Sequence, residues 1–344
     1  MLNKTVVIAG SLLLIIAALT FKIYWPLSIH GNKEEVSFIN DNSKISASLY
    51  YPRKKESFSV VIFIHGDGAS DRTSGGNYNI MMNAFLDRGI ACFSYDKPGI
   101  GNSEGNWLTQ TMKDRAIEVN SAITKLEKDK RITSIGLLGL SQGGWVLSEL
   151  AQITTDYDYI ILIGGAIDWI SQGKYYTEQK LAKSMMTDSQ KAEYRLQNKM
   201  IDQFIIDNDY SGYLEYLKSF KKTEYENNLI SKGRFEFFHK NVNVNAKAGI
   251  YYIHSPFLGL FGEKDRNVDA RESLTVYDTI FRETGNTKAE LHLVKNANHS
   301  LLKSRYEDFS AKKMMWLEML LAGKKIYADG VLETLGSWTL ENSD

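Results

Sequence analysis

Ser141 lies in Gly139-Leu140-Ser141-Gln142-Gly143, after the apolar run Ile135-Gly-Leu-Leu138 and before Gly144-Trp-Val-Leu147. Strand, sharp turn and helix in that order strain the serine backbone and lift its hydroxyl clear of the sheet, the arrangement of a nucleophile elbow. The glycines keep the turn free of side chains that would strike the neighbouring strand and helix. The chemistry open to such a serine is attack on an acyl carbon. A hydroxyl is a weak nucleophile near neutral pH, so it needs a base within hydrogen-bond reach and a carboxylate to orient that base.

Of six histidines, His299 fits the base best. It stands in the polar turn Asn296-Ala-Asn-His-Ser300, after the apolar run Leu291–Val294 and before a helical stretch. Loops that follow parallel strands gather at one edge of a sheet, so Ser141 and His299 can meet there. The others fit less well: His30 borders an apolar N-terminal segment, His65 belongs to a different loop, His239 sits among aromatics, His254 precedes a strand and His292 is within one. For the acid, Asp265 in Phe261-Gly-Glu-Lys-Asp265 follows the next-to-last strand, and Asp168 after an earlier strand is its rival; Glu263 and Asp269 read as solvated. An oxyanion requires fixed N–H donors. The Gln142 backbone opens the elbow helix and offers one. The Asp67 backbone in His65-Gly66-Asp67-Gly68 offers another, although that tetrapeptide also reads as a plain tight turn. Asp96, with Gly99 and Gly101, reads as a turn holder.

The elements that must position these groups alternate. Short apolar runs at 60–64, 90–95, 135–140, 159–164, 256–261 and 291–294 read as buried parallel strands. Helical patterns at 78–88, 112–128, 144–153, 270–283 and 308–321 separate them, which means a parallel sheet covered on both faces. Residues 35–51 read as an antiparallel hairpin at the sheet edge. Residues 166–250 break the rhythm with a helical, aromatic-rich insertion between the fourth and fifth of these strands. An insertion there can cover the strand ends as a lid, with Met200 and Phe204 as candidate walls of an acyl pocket or as cap core.

The 344-residue chain is long enough for one large core with an inserted subdomain. Lys+Arg and Asp+Glu are each 41, and this balance gives no electrostatic reason to expect nucleic acid. Cys92, the single cysteine, rules out an internal disulfide and a cysteine metal site, and its apolar run marks it as a buried thiol. Residues 5–21 are uncharged and mostly apolar between Lys4 and Lys22, and as a helix they would reach roughly 26 Å. We expect residues 1–30 to be an uncleaved membrane anchor with the body, 31–344, outside the cytoplasm. A cleaved signal peptide and secretion are the alternative, against which stands the lack of a clear A-x-A-like site after Ala18.

HGDG (65–68), YDKPGIGNSEG (95–105), GLSQGGW (139–145), GEKD (262–265) and NANH (296–299) together resemble the α/β-hydrolase superfamily, in its serine esterase and acyl-aminoacyl-peptidase-like group. The resemblance spans most of residues 45–322 and leaves out 1–30 and most of 170–250. It implies an α/β fold with a mostly parallel eight-stranded sheet, helices on both faces, and a Ser141–Asp265–His299 triad. The chain has no β-propeller of the kind that large oligopeptidases carry, and asparagine and alanine stand before His299 where a glycine-rich turn is commoner. The expected activity is hydrolysis of a small-molecule carboxylic ester or other acyl substrate through an acyl-enzyme, with no cofactor and no metal required. Two rivals stand beside it: acyl transfer or amide cleavage by the same triad, and a non-catalytic binding protein on this scaffold.

Overall fold

The computed structural model describes residues 27–221, 226, 228–306, 318 and 321–343. Eight strands form one sheet: β1 (Asn32–Asn40), β2 (Ser43–Tyr51), β3 (Phe58–Ile64), β4 (Ala91–Tyr95), β5 (Ile132–Leu140), β6 (Tyr159–Ile163), β7 (Phe257–Gly262) and β8 (Ala289–Val294). Their spatial order is β1-β2-β4-β3-β5-β6-β7-β8. Only the β1–β2 and β2–β4 pairings are antiparallel; β4 through β8 pair in parallel. This is the mostly parallel α/β sheet that the alternating runs predict, with the hairpin at its edge.

Helices α1 (Asn79–Leu86), α2 (Met112–Leu126) and α3 (Gly143–Ala151) follow β3, β4 and β5. Strand parity assigns them to faces. Val60, Ile62 and Ile64 point into a core shared with Ala116, Val119 and Ile123 of α2 and Val146 and Leu150 of α3. Val61 and Phe63 point the other way, onto Met82 and Phe85 of α1. Both faces of β3 are therefore buried, which is why its sequence shows no polar alternation. A capping box at Thr111 and Asp114 starts α2, each side chain bonding the other residue's backbone N–H.

Between β6 and β7 run α4 (Trp169–Lys183), α5 (Asp188–Ile206), α6 (Tyr210–Leu217), α7 (Lys232–Asn241) and the short α8 (Lys247–Ile250). This stretch has a small core of its own in Ile205, Tyr213, Leu217, Phe235 and Val242. It joins the main body through Trp169, stacked on Trp145 of α3 with ring centroids 5.4 Å apart. Asn241 adds a second tie, its Oδ1 accepting from the Met112 N–H at 2.9 Å.

After β7 come α9 (Ala270–Thr284) and then β8; α10 (Val331–Glu341) completes the described elements. The sequence pattern did not predict α10, whose Val331, Leu335 and Trp338 pack on the same sheet face as α1. The helix expected over 308–321 lies mostly outside the described residues, as does the apolar stretch 5–21. No helix among the described residues is long and apolar enough to cross a membrane. Residues 27–30 bond to α1: Asn79 Nδ2 donates to the Leu27 carbonyl and Asn83 Nδ2 to that of Ser28, each at 2.7 Å, and His30 N–H donates to Asn83 Oδ1 at 2.9 Å.

Candidate active site

Ser141 occupies the turn from β5 into α3 with φ of 52°, a left-handed conformation that a non-glycine residue adopts only under constraint. The constraint is visible in its bonds. Its N–H donates to the Ile163 carbonyl at 2.8 Å, and its own carbonyl accepts from Gly144 N–H at 2.8 Å. A Cβ on Gly143 would come within 2.6 Å of the Ile64 carbonyl, so the elbow can lie this close to β3 only with glycine there.

His299 follows β8 and faces Gly164, the residue after β6. A Cβ on Gly164 would sit 3.2 Å from the imidazole Nδ1 and 3.0 Å from the His299 carbonyl, so the ring rests against a residue with no side chain. Its Nδ1 donates to Asp265 Oδ2 at 2.7 Å. The other oxygen, Oδ1, accepts from the N–H groups of Asn267 at 2.7 Å and Val268 at 2.9 Å. Asp265 is buried, so both oxygens are held by protein donors. With Nδ1 committed to the carboxylate, Nε2 is left free to act as a base. Ser141 and His299 line the same cleft, of about 1060 Å³.

Asp168, the rival acid, has another task. Its side chain accepts from Ser171 N–H at 2.8 Å and caps α4. Asp96 holds a turn, as its glycine-rich setting implies: Oδ1 and Oδ2 take Arg72 Nε at 3.1 Å and Nη2 at 2.7 Å. His65 is buried. Its Nε2 donates to the Tyr95 carbonyl at 2.6 Å, and burial holds its pKa down to about 3, so the ring is a neutral structural group.

The two candidate oxyanion donors flank the serine. Asp67 lines the cleft beside Ser141, and Gln142 follows the serine directly. Among the described residues, neither backbone N–H has a protein acceptor. Their side chains meet, Gln142 Nε2 donating to Asp67 Oδ1 at 3.2 Å. Two cations that the sequence reading did not single out tie this region down. Arg115 of α2 donates to Gln142 Oε1 at 2.7 Å and to the His65 carbonyl at 2.5 Å. Arg234 of α7 donates to both oxygens of Asp67, and its guanidinium lies 4.3 Å from the Phe238 ring centroid. Burial alone would raise the Asp67 pKa, but the bonds and charge of Arg234 outweigh it and hold the carboxyl below its usual range. Arg115 did leave a trace in the sequence: it is a cation on the apolar stripe Met112–Ala116–Val119. Arg234 left none.

No described residue of the aromatic insertion lines this cleft. The cleft's apolar walls include Leu27, Ile80, Met81, Leu302, Ile326 and Tyr327. Met200 is exposed, and Phe204 packs inside the cap against Tyr216 with ring centroids 5.6 Å apart. Of the two readings of these residues, neither side chain lines this cleft: Met200 is cap surface, and Phe204 is cap core.

An elbow serine, a histidine bonded to a buried carboxylate, and an eight-stranded sheet of this order define an α/β hydrolase. The chain belongs to the serine aminopeptidase S33 family, whose description matches residues 55–305. The fold is similar to that of the Pyrococcus furiosus esterase Pf2001, with a TM-score of 0.54 at 15% identity over 87% of this chain and 92% of that one. It is also similar to Est1E of Butyrivibrio proteoclasticus, solved with ferulic acid bound: TM-score 0.54, 15% identity, 89% of this chain and 98% of that one. A third similar structure is the α/β hydrolase GrgF of Penicillium sp. sh18: TM-score 0.53, 19% identity, 84% of this chain and 98% of that one. No curated protein sequence matches the chain.

Proposed function

We propose that the protein is a serine hydrolase that cleaves carboxylic esters through an acyl-enzyme on Ser141. The reading rests on the left-handed Ser141, which shares a cleft with a His299 whose Nδ1 is bound by buried Asp265. Ser141 Oγ attacks the acyl carbon while His299 Nε2 takes its proton. Asp265 orients the ring and stabilises the imidazolium. The Asp67 and Gln142 N–H groups receive the oxyanion. His299 returns the proton to the departing alkoxide, then draws one from the water that frees the acid.

The family description raises the alternative of removing an N-terminal amino acid from a peptide. Holding a substrate ammonium takes an uncommitted carboxylate. Asp67 is the carboxylate among the described lining residues, and Arg234 occupies it. A neutral acyl ester suits the remaining Leu, Ile, Met, Ser and Asn lining better. The similarity of fold to the Pyrococcus furiosus esterase Pf2001 agrees with this reading.

Labelling by a fluorophosphonate, followed by rates over an ester series and over aminoacyl anilides, tests the proposal. Labelling lost in Ser141→Ala, with ester turnover exceeding anilide turnover, is the expected result. Anilide turnover above ester turnover would replace the esterase reading with the peptidase one. For residues 5–21 we propose a membrane anchor, on their uncharged, apolar composition.

A further inference from the structure

Lys97 lies beneath the oxyanion loop, just after β4, and its side chain is almost entirely buried. A buried ammonium is costly unless its donors are met. Here Nζ donates to the Gly66 carbonyl at 2.6 Å and to the Gly68 carbonyl at 2.7 Å. It also lies 5.2 Å from the Trp107 ring centroid. Burial pushes its pKa well below the usual lysine range, yet even a neutral amine could donate to both carbonyls.

The two bonded carbonyls bracket Asp67. A trans peptide points its C=O and N–H in opposite directions within one plane, and Gly66 C=O shares its plane with Asp67 N–H. Fixing that carbonyl downward toward Lys97 fixes the N–H away from it. The second bond, at Gly68, holds the other flank. The loop needs this restraint, because glycines on both sides of Asp67 leave the peptide free to turn over, and Gly68 already has φ of 87°. A turned-over peptide would present a carbonyl oxygen to the developing oxyanion. The turn that carries Lys97 is held separately, by Arg72 on Asp96, so Lys97 is not needed to close it.

We propose that Lys97 is a positioning residue of the oxyanion hole, holding the Gly66 and Gly68 carbonyls so that the Asp67 N–H stays aimed at the oxygen of the acyl group under attack by Ser141. The inference rests on the serine hydrolase reading above. The test uses the full chain, a 4-nitrophenyl butyrate assay, and an alkyl trifluoromethyl ketone. Ser141 Oγ adds to that ketone carbon, its proton passes to His299, and the carbonyl oxygen becomes a stable oxyanion. Lys97→Met should lower kcat by roughly 10²- to 10³-fold, the range for loss of one oxyanion donor, with KM little changed. Affinity for the ketone should fall by a similar factor. Lys97→Gln keeps an amide donor of shorter reach and should lie between wild type and Lys97→Met; it also carries the test if the methionine variant does not fold. A folded variant that keeps wild-type affinity for the ketone overturns the proposal, whether kcat is kept or kcat and KM fall together. If the wild-type chain is neither labelled by fluorophosphonate nor able to cleave the ester, the underlying hydrolase reading is what has failed.

Discussion

The guanidinium of Arg234 grips both carboxylate oxygens of Asp67, a residue 167 positions earlier in the chain. The inserted helices thus hold the loop that carries a candidate oxyanion donor. They reach the site through this loop rather than by forming its walls.

Asp67→Asn and Arg234→Met should each lower turnover, and the double variant should lose little more than either alone. The coupling expected between contacting residues is roughly 0.5–3 kcal/mol. Strictly additive losses in a double-mutant cycle on kcat/KM would show that the ion pair does not act on the loop.

Ser141→Ala should abolish ester turnover, on the scale of about 10⁶-fold. Asp265→Asn should cost on the order of 10⁴-fold, because His299 loses the anion that sets its tautomer. Asp168→Asn should keep turnover and change stability by no more than about 1 kcal/mol, since it alters only the cap of α4. A crippled Asp168→Asn beside a mild Asp265→Asn would reverse the assignment of the acid.

Acyl preference should respond to the cleft walls. Leu302→Trp should lower the ratio of long-chain to short-chain ester rates roughly tenfold or more, as blocking a few methylenes does. Met200→Ser, on the exposed cap surface, should leave that ratio unchanged. The opposite pattern would return the pocket to the insertion.

Glu118 on α2 is buried, and burial raises its pKa to about 7 from its ordinary 4.5. Between those values the folded chain holds a proton that the unfolded chain has released, so stability falls as pH rises through this window. The full effect is roughly 3 kcal/mol, gone above the folded pKa. Glu118→Gln removes the titration and keeps an oxygen that can accept from Gln110 Nε2, now 3.0 Å from Glu118 Oε2. Denaturant titrations at pH 5 and pH 8 should show the variant gaining stability over wild type only at pH 8. An equal difference at both pH values would rule out a proton held by Glu118.

The full-length chain should sediment with membranes and be released by detergent but not by high salt. Because Leu27 lines the cleft and residues 27–30 bond to α1, a truncated chain should begin at Leu27 to stay active. Mature protein recovered with its first residue beyond 20 would instead favour a cleaved signal.

Much of this architecture was legible in the sequence because its signals are local. A strand buried on both faces must be apolar throughout, and the runs at 60–64, 135–140 and 159–164 are, so β3, β5 and β6 could be read directly. Ser141 was legible because its elbow needs glycine at fixed offsets, and His299 because it stands in a polar turn after the last strand. Asp265 could only be ranked above Asp168, since both follow strands; folding separates them, sending one carboxylate to His299 and the other to a helix cap. What remained out of reach depends on distant pairs. Nothing near Asp67 in the chain announces Arg234, and nothing in the spacing of Lys97 shows that its ammonium lies under Gly66 and Gly68. The amphipathic stripe of α5 is equally compatible with packing in the cap and with lining a pocket. Periodicity tells that a face is covered, while tertiary packing decides by what, and so the walls of the cleft beside Ser141 fell to α1 and the chain around Leu302 and Ile326 rather than to the described residues of the aromatic insertion.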